Sequence, residues 1–225
     1  MNDLMSLIGE KVVIEVSGKR PLSGKLIDVG LDIVVLLHHL RYLYIPFAHV
    51  HNLKADVSSG GGSESGGLPD ESSIGLQVEE LTTAKILQEA KGLFVEIYVS
   101  GNKSIHGYLN GVMNDYFTLY SPIYGTVYVS LNHLKWLIPY PTSHVPYARS
   151  TGNAPMGQSQ PNLGKTFEDT LKKEVGKMAV IDLSGASERI GVIKRVTGGI
   201  IDVVDADGNS TLLNLMHVKT MIVPK

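Results

Sequence analysis

The chain has 225 residues, of which 43% are hydrophobic and 19% charged, with a formal net charge of −2. This composition is globular: it excludes a disordered chain and lacks the Lys/Arg surplus of a typical nucleic-acid binder. The absence of cysteine removes disulfides, thiolate chemistry and Cys-type zinc sites without fixing a compartment; the longest apolar run, Ile33–Leu37, falls far short of the roughly 20 residues that span a bilayer; and residues 1–10 carry no secretory pattern.

In chain order, Asp3–Ile8 has room for a helix of one or two turns. Val12–Val16 reads as a strand entering a Ser17-Gly18 turn. Leu22–Val29 and Ile33–Leu37 follow, with Gly30 as the bend between them, and Tyr42–Ile45 and Val50–Leu53 complete five strands. Residues 58–67 read SSGGGSESGG, a Gly/Ser coil that buries no core. Ile74, Val78, Leu81, Ala84 and Leu87 then trace one helical face, with Ser72 or Ser73 as the N-cap. The strands Leu93–Val99, Ile105–Met113, Tyr116–Tyr120, Thr126–Val129 and Leu134–Ile138 come next. Residues 139–162 hold Pro139, Pro141, Pro146, Pro155 and Pro161 among Gly, Ser, Asn and Gln, a second and stiffer linker. Phe167, Leu171 and Val175 fall at helical spacing, and Thr166 with Asp169 resembles a capping box. The last strands are Met178–Leu183, Arg189–Val196, Ile200–Asp205, Ser210–Leu213 and Val218–Ile222, with Asp207-Gly208 as a hairpin turn.

These segments repeat one another, and internal similarity outranks any local reading. Gly9, Gly92 and Gly176 each precede an apolar run. Ser17-Gly18, Ser100-Gly101 and Ser184-Gly185 follow at equal distance, then Gly24, Gly107 and Gly191, then His49, His133 and His217. The histidines are 84 residues apart both times. One helix and five bent strands in roughly 55 residues outline an Sm-like or SH3-like barrel, since strands this short cannot make two full sheets and closure removes exposed edges.

The expected fold is therefore mainly β: three tandem five-stranded barrels, each preceded by a short α-helix. Barrel 1 occupies 1–56, a Gly/Ser linker 57–71, a helix and barrel 2 72–140, a Pro-rich linker 141–164, and a helix and barrel 3 165–225. Each barrel is small for independent stability, so docking among the copies and homo-oligomer formation through barrel edge strands are expected.

The triple repeat, the segments GKLIDVGLDIVVL, GYLNGVMNDYFTL and GVIKRVTGGIIDVV, and the closing YIPFAHVHNL, YVSLNHLKWL and LLNLMHVKTM resemble the spore coat protein B family of endospore-forming bacilli. The resemblance covers everything but the linkers. It lies in the order and threefold recurrence of the motifs, which are individually loose. Members often continue into a long Ser/Lys/Arg-rich tail, whose properties are not carried over to a chain that stops at Lys225. The resemblance implies a non-enzymatic structural component of the spore coat, made in the mother-cell cytoplasm, deposited on the forespore surface and partnered by other coat proteins.

Sharper chemistries weigh less. Sm-like barrels often bind uridine-rich RNA through a loop Asp and Asn and a later Arg-Gly. Here Asp32, Asp115 and Gly199 stand near the Asn position, and Pro46-Phe47, Ser130-Leu131 and Asn214-Leu215 replace the Arg-Gly. An RNA-binding adaptor remains the alternative, with no basic stripe to compensate for the arginines missing from these positions. His38-His39 and His49-x-His51 have ligand-like density, but adjacent strand residues point to opposite faces, and Lys135 and Lys219 replace His51 in the other blocks. No metal, cofactor, membrane or specific nucleic-acid partner is expected. His49, His133 and His217 read as turn-fixing residues and Gly24, Gly107 and Gly191 as structural glycines. No nucleophile or carboxylate recurs beside the histidines, so no catalytic set is expected.

Overall fold

In a computed structural model the protein is described at residues 2–18, 21–56, 80–101, 104–144, 146–148, 163–183 and 189–224. The Gly/Ser linker, the expected caps Ser72 and Ser73, the helical positions Ile74 and Val78, and the Ser184-Gly185 turn lie outside the described residues. Among those described, the chain is mainly β, with fifteen strands and three short α-helices.

The first block contains α1 (Asn2–Met5), β1 (Lys11–Val16), β2 (Leu22–Val29), β3 (Ile33–His38), β4 (Arg41–Pro46) and β5 (Val50–Ala55). The second contains α2 (Thr83–Glu89), β6 (Phe94–Tyr98), β7 (Ile105–Val112), β8 (Tyr116–Ser121), β9 (Gly125–Ser130) and β10 (Trp136–Pro139). The third contains α3 (Phe167–Lys173), β11 (Met178–Ile181), β12 (Arg189–Thr197), β13 (Ile200–Val204), β14 (Ser210–Asn214) and β15 (Thr220–Ile222). All recorded pairings are antiparallel.

Two compact units arise, and the division runs through the second block. The first unit comprises Met1–Tyr98 and Lys135–His144, and the second Val99–Leu134 and Val145–Lys225. In the first unit the strand order is β6-β10-β4-β3-β2-β1-β5, and in the second β14-β13-β12-β11-β15-β9-β8-β7. Each unit has its own core. Val12, Ile14, Leu26, Val34, Leu36 and Ile45 pack with Tyr98, Trp136 and Ile138 in the first. Phe167, Leu171, Ile181, Ile193, Ile201 and Met221 pack with Tyr116 and Tyr128 in the second.

The three self-closed barrels expected from the sequence do not form. Each fifth strand returns to the first strand of its own block: β5 to β1, β10 to β6 and β15 to β11. It does not close on its own fourth strand. β10 and β15 instead pair with the fourth strand of the preceding block, β4 and β9 respectively. The sheet is open, and hydrogen bonds that would seal a barrel run between blocks.

The bending of the second strand has the same cause in every block. A register shift falls between Leu26 and Asp28, between Leu109 and Gly111, and between Ile193 and Arg195. Such an extra residue kinks a strand and increases its twist, so one long strand pairs with the first strand at one end and the third at the other. Where it curves, Gly24, Gly107 and Gly191 pass so near the third strand that a Cβ would collide with the carbonyl oxygens of Leu37, Tyr120 and Val204.

The helices are short and capped. Thr166 Oγ1 accepts from Asp169 N at 3.1 Å, the capping interaction expected at α3. Val175, expected on the apolar face, lies beyond the helix and is exposed. The cap of α2 is Thr82, whose Oγ1 accepts from Lys85 N at 3.2 Å.

Candidate inter-repeat interface

Several contacts connect one block to the next, and two of them occur twice. The first is the strand ladder. Tyr44 of β4 stands opposite Leu137 of β10, and Tyr128 of β9 stands opposite Met221 of β15. Both partners are displaced by 84 residues, so the two junctions share one register. Their central side chains are almost fully buried, Tyr44 at 2% and Tyr128 at 3% exposure. The second junction is longer, pairing Val129 with Thr220 and Val127 with Ile222 as well. Ser130 N also donates to Lys219 O at 3.0 Å, where the equivalent Pro46 has no N–H to give.

The second contact is a clasp on the following helix. Leu31 N donates to Leu81 O at 3.0 Å, and Asn114 N donates to Lys165 O at 3.2 Å. One residue on, a carboxylate meets the first helical N–H: Thr83 N donates to Asp32 Oδ1 at 2.7 Å, and Phe167 N donates to Asp115 Oδ1 at 2.8 Å. Helix N-terminal N–H groups lack intrahelical acceptors, and a carboxylate there also meets the positive end of the helix dipole. The same aspartates hold their own block through the main chain, because Phe47 N donates to Asp32 O and Leu131 N to Asp115 O at 2.8 and 2.9 Å. In the third block Gly199 takes this place. Its carbonyl accepts from Leu215 N at 2.8 Å, and its N–H donates to Glu168 Oε2 at 3.1 Å.

In the second unit the clasp continues into a closed ring of hydroxyl contacts. Gly164 N donates to Thr170 Oγ1 at 2.7 Å, and the Tyr116 hydroxyl donates to Gly164 O at 2.9 Å. Tyr116 and Thr170 are 2.7 Å apart, so with the tyrosine proton already given, threonine is the donor between them. Burial raises the Tyr116 pKa above its ordinary value. Burial, followed by the charge of Glu174, pushes Tyr128 up to about 12. In the first unit, Arg41 of β4 instead pairs with Glu96 of β6 at 2.7 Å and lies over the Tyr140 ring at 4.9 Å. Lys135 Nζ donates to Ser17 O.

The third contact uses a repeated histidine. His49, His133 and His217 each end a 3₁₀ turn, at Phe47–His49, Leu131–His133 and Leu215–His217. The turns are closed by backbone bonds from Val50, Leu134 and Val218. His49 Nδ1 lies 3.4 Å from Ser17 Oγ. The His133 ring reaches further: its Nε2 is 2.8 Å from Met216 O, in the turn of the next block, so that nitrogen carries the proton. His217 is exposed. Trp136 stacks on Tyr98 of its own block, with ring centroids 4.3 Å apart, and both rings belong to the core that holds the first block's Val12 and Leu26.

The remaining singled-out residues have local roles. His38 Nδ1 is 2.6 Å from Ser23 O, and His39 and Leu40 form the β3–β4 turn with positive φ of 47° and 61°. Among the described residues no group of three or more His, Asp or Glu is placed to hold a metal ion. The carboxylate clasp was the feature that sequence reasoning passed over. Asp32 and Asp115 were visible at equivalent places, but their partners lie 51 and 52 residues away.

Two outcomes follow. Asp115→Ala is expected to cost about 1 kcal/mol, the usual loss of a helix cap, while Asp115→Asn retains an acceptor and most of the stability. Urea titration of the two variants checks this. For His133, burial lowers the pKa, outweighing the opposing bond to Met216. The unfolded chain therefore binds the proton more readily, so this group's stabilisation is complete above pH 6.5 and falls as pH drops through that value toward the lower folded pKa. His133→Gln removes that titration, and the difference between the two proteins' stability-pH profiles should slope in that window. Parallel profiles would contradict it.

Together, the open antiparallel sheet and the recurring block-to-block contacts define a mainly β tandem-repeat protein. A family model described as the YwrJ third domain matches residues 166–221, within the third block. A protein of Bacillus subtilis (strain 168), "Uncharacterized protein YwrJ", is 34% identical over 225 residues, covering 100% of both chains. The chain belongs to the YwrJ family.

Proposed function

We propose that this chain is a non-enzymatic structural component of the bacterial endospore coat, made in the mother cell, that acts as a multivalent protein–protein scaffold. The observation that carries the scaffold reading is the use of the recurrent polar groups: both loop aspartates clasp the next helix, and His133 bonds the next block's turn. The coat assignment is supported by the likeness of the three motif sets to the spore coat protein B family. The finer fold reading, three Sm-like blocks, is supported by the order β4-β3-β2-β1-β5 and its equivalent β14-β13-β12-β11-β15, each with a bulged second strand. Linked blocks gain avidity through effective concentration, which suits a shell assembled from weak contacts to other coat proteins.

A fluorescent fusion expressed in sporulating cells tests the assignment. Signal is expected as a shell around the forespore, and signal spread evenly through the mother cell would overturn it. The alternative, an RNA-binding adaptor, requires loop carboxylates to leave their helices. Tight, sequence-dependent binding to oligo-uridine near physiological salt would favour that alternative.

A further inference from the structure

Within the strand order, β5 and β14 have a neighbour on one side only. They are the two halves of the junction that the chain builds internally. β14 is the third block's counterpart of β4 and β9, and β5 is the first block's counterpart of β10 and β15. The burial record differs at these two edges. Leu212, the equivalent of Tyr44 and Tyr128, is 63% exposed. Leu53, the equivalent of the fully buried Leu137 and Met221, is only half-buried. Exposed sheet edges are normally blunted by charge, proline or a bulge. β14 reads STLLN, with no charge and no proline, and pairs with β13 without a register shift.

We infer that two copies of this chain join head to tail, the outer edge of β14 in one pairing antiparallel with the outer edge of β5 in the other, with Leu212 opposite Leu53. The register is fixed by the internal junctions: Tyr44–Leu137 and Tyr128–Met221 advance by 84 on both sides, and the next member of the series is Leu212 with Leu53. The polar contacts carry over in the same way. Ser130 N to Lys219 O becomes Asn214 N to His51 O, with no proline in the way. His133 Nε2 to Met216 O becomes the exposed His217 ring to the carbonyl of Ala48, which is also exposed. The carboxylate clasp does not carry over, because Gly199 replaces the aspartate. The union therefore rests on strand edges, apolar contact and the histidine. It is a property of the purified chain and does not depend on the spore-coat reading.

The cysteine-free sequence makes the test direct. Full-length Leu53→Cys and Leu212→Cys proteins, carrying tags of different size, are mixed under mild oxidation. A disulfide-linked pair is expected only when both variants are present. Predominant linkage of Leu212→Cys to itself, or no linkage in the mixture, would overturn the proposal. Sedimentation of the unmodified chain provides a readout that needs no variant at position 53. Concentration-dependent mass above the 24.4 kDa monomer is expected, with dissociation made at least about tenfold easier by Leu212→Lys. A monomer at every concentration, or self-association indifferent to Leu212→Lys, would overturn it. Circular dichroism confirms that each variant is folded, and the exposure of Leu212 makes its replacement structurally mild.

Discussion

Gly191→Val should destabilise the second unit by about 3 kcal/mol, at the upper end of what overpacking usually costs. Gly191 stands opposite Ala179 in β11, at the place where β12 curves away from β13. A Cβ there meets the Val204 carbonyl and the Val203 side chain. A carbonyl held in a ladder cannot rotate aside as a side-chain end does, so the strand itself must shift. Gly191→Ala should cost less, about 1–3 kcal/mol, because it adds only the first carbon. Chemical denaturation followed by circular dichroism measures both. A valine variant within 0.5 kcal/mol of the parent would show that the curve of β12 relaxes freely, contrary to the close approach found at Gly24 and Gly107 as well.

Trp136→Ala is expected to cost the first unit about 3–5 kcal/mol, the range for deleting a buried aromatic ring. Trp136 is the only tryptophan, 7% exposed, and it belongs at once to the β10 ladder with β6 and to the core of the first block. Its loss removes both the ring stacked on Tyr98 and a large side chain from the core cluster that holds Val12 and Leu26. Trp136→Phe retains an aromatic partner for Tyr98 and should recover more than half of the loss. Because the fluorophore disappears with the mutation, far-ultraviolet circular dichroism is the measurement. An alanine variant as stable as the parent would place the second block's contribution to this core elsewhere.

Much of the local structure was legible in the sequence because local rules decide it. The expected strand Leu22–Val29 matches β2 at both ends, and Thr166 with Asp169 marked the start of α3. Misplaced ends have identifiable physical causes. β10 begins at Trp136 and not Leu134, because the Leu134 N–H closes the preceding 3₁₀ turn; Val218 does the same before β15. β11 stops at Ile181, short of Leu183, because Asp182 takes a φ of 57° that no strand continues. Among the described residues α2 starts at Thr83, where Leu31 and Asp32 of the previous block fix the chain, and the expected caps Ser72 and Ser73 lie outside them.

The interface was the part least legible. The recurring histidines and glycines were found as a repeat, but spacing alone cannot tell a residue that serves its own block from one that serves the next. His133 and Met216 are 83 residues apart, and Tyr44 meets Leu137 across the Gly/Ser segment. No hydrophobic period or turn signal encodes an edge-to-edge pairing of that range. The closure expected within each block therefore went to its neighbour, where the same strand edges find a partner in an equally favourable register.

The sharing of β4 with β10 also sets a timetable for the nascent chain. The edge of β4 is complete when Pro46 has emerged, but its partner Leu137 lies 93 residues after Tyr44. At translation rates of roughly 5–20 residues per second, the edge waits about 5–20 s for the strand that covers it. During that interval the emerging chain presents an uncovered hydrogen-bonding ledge flanked by Leu43, Tyr44 and Ile45, side chains that the finished protein buries. Neighbouring ribosomes on one message hold the same ledge close together, and chaperone occupancy of residues 41–46 during synthesis would keep such chains apart until β10 arrives.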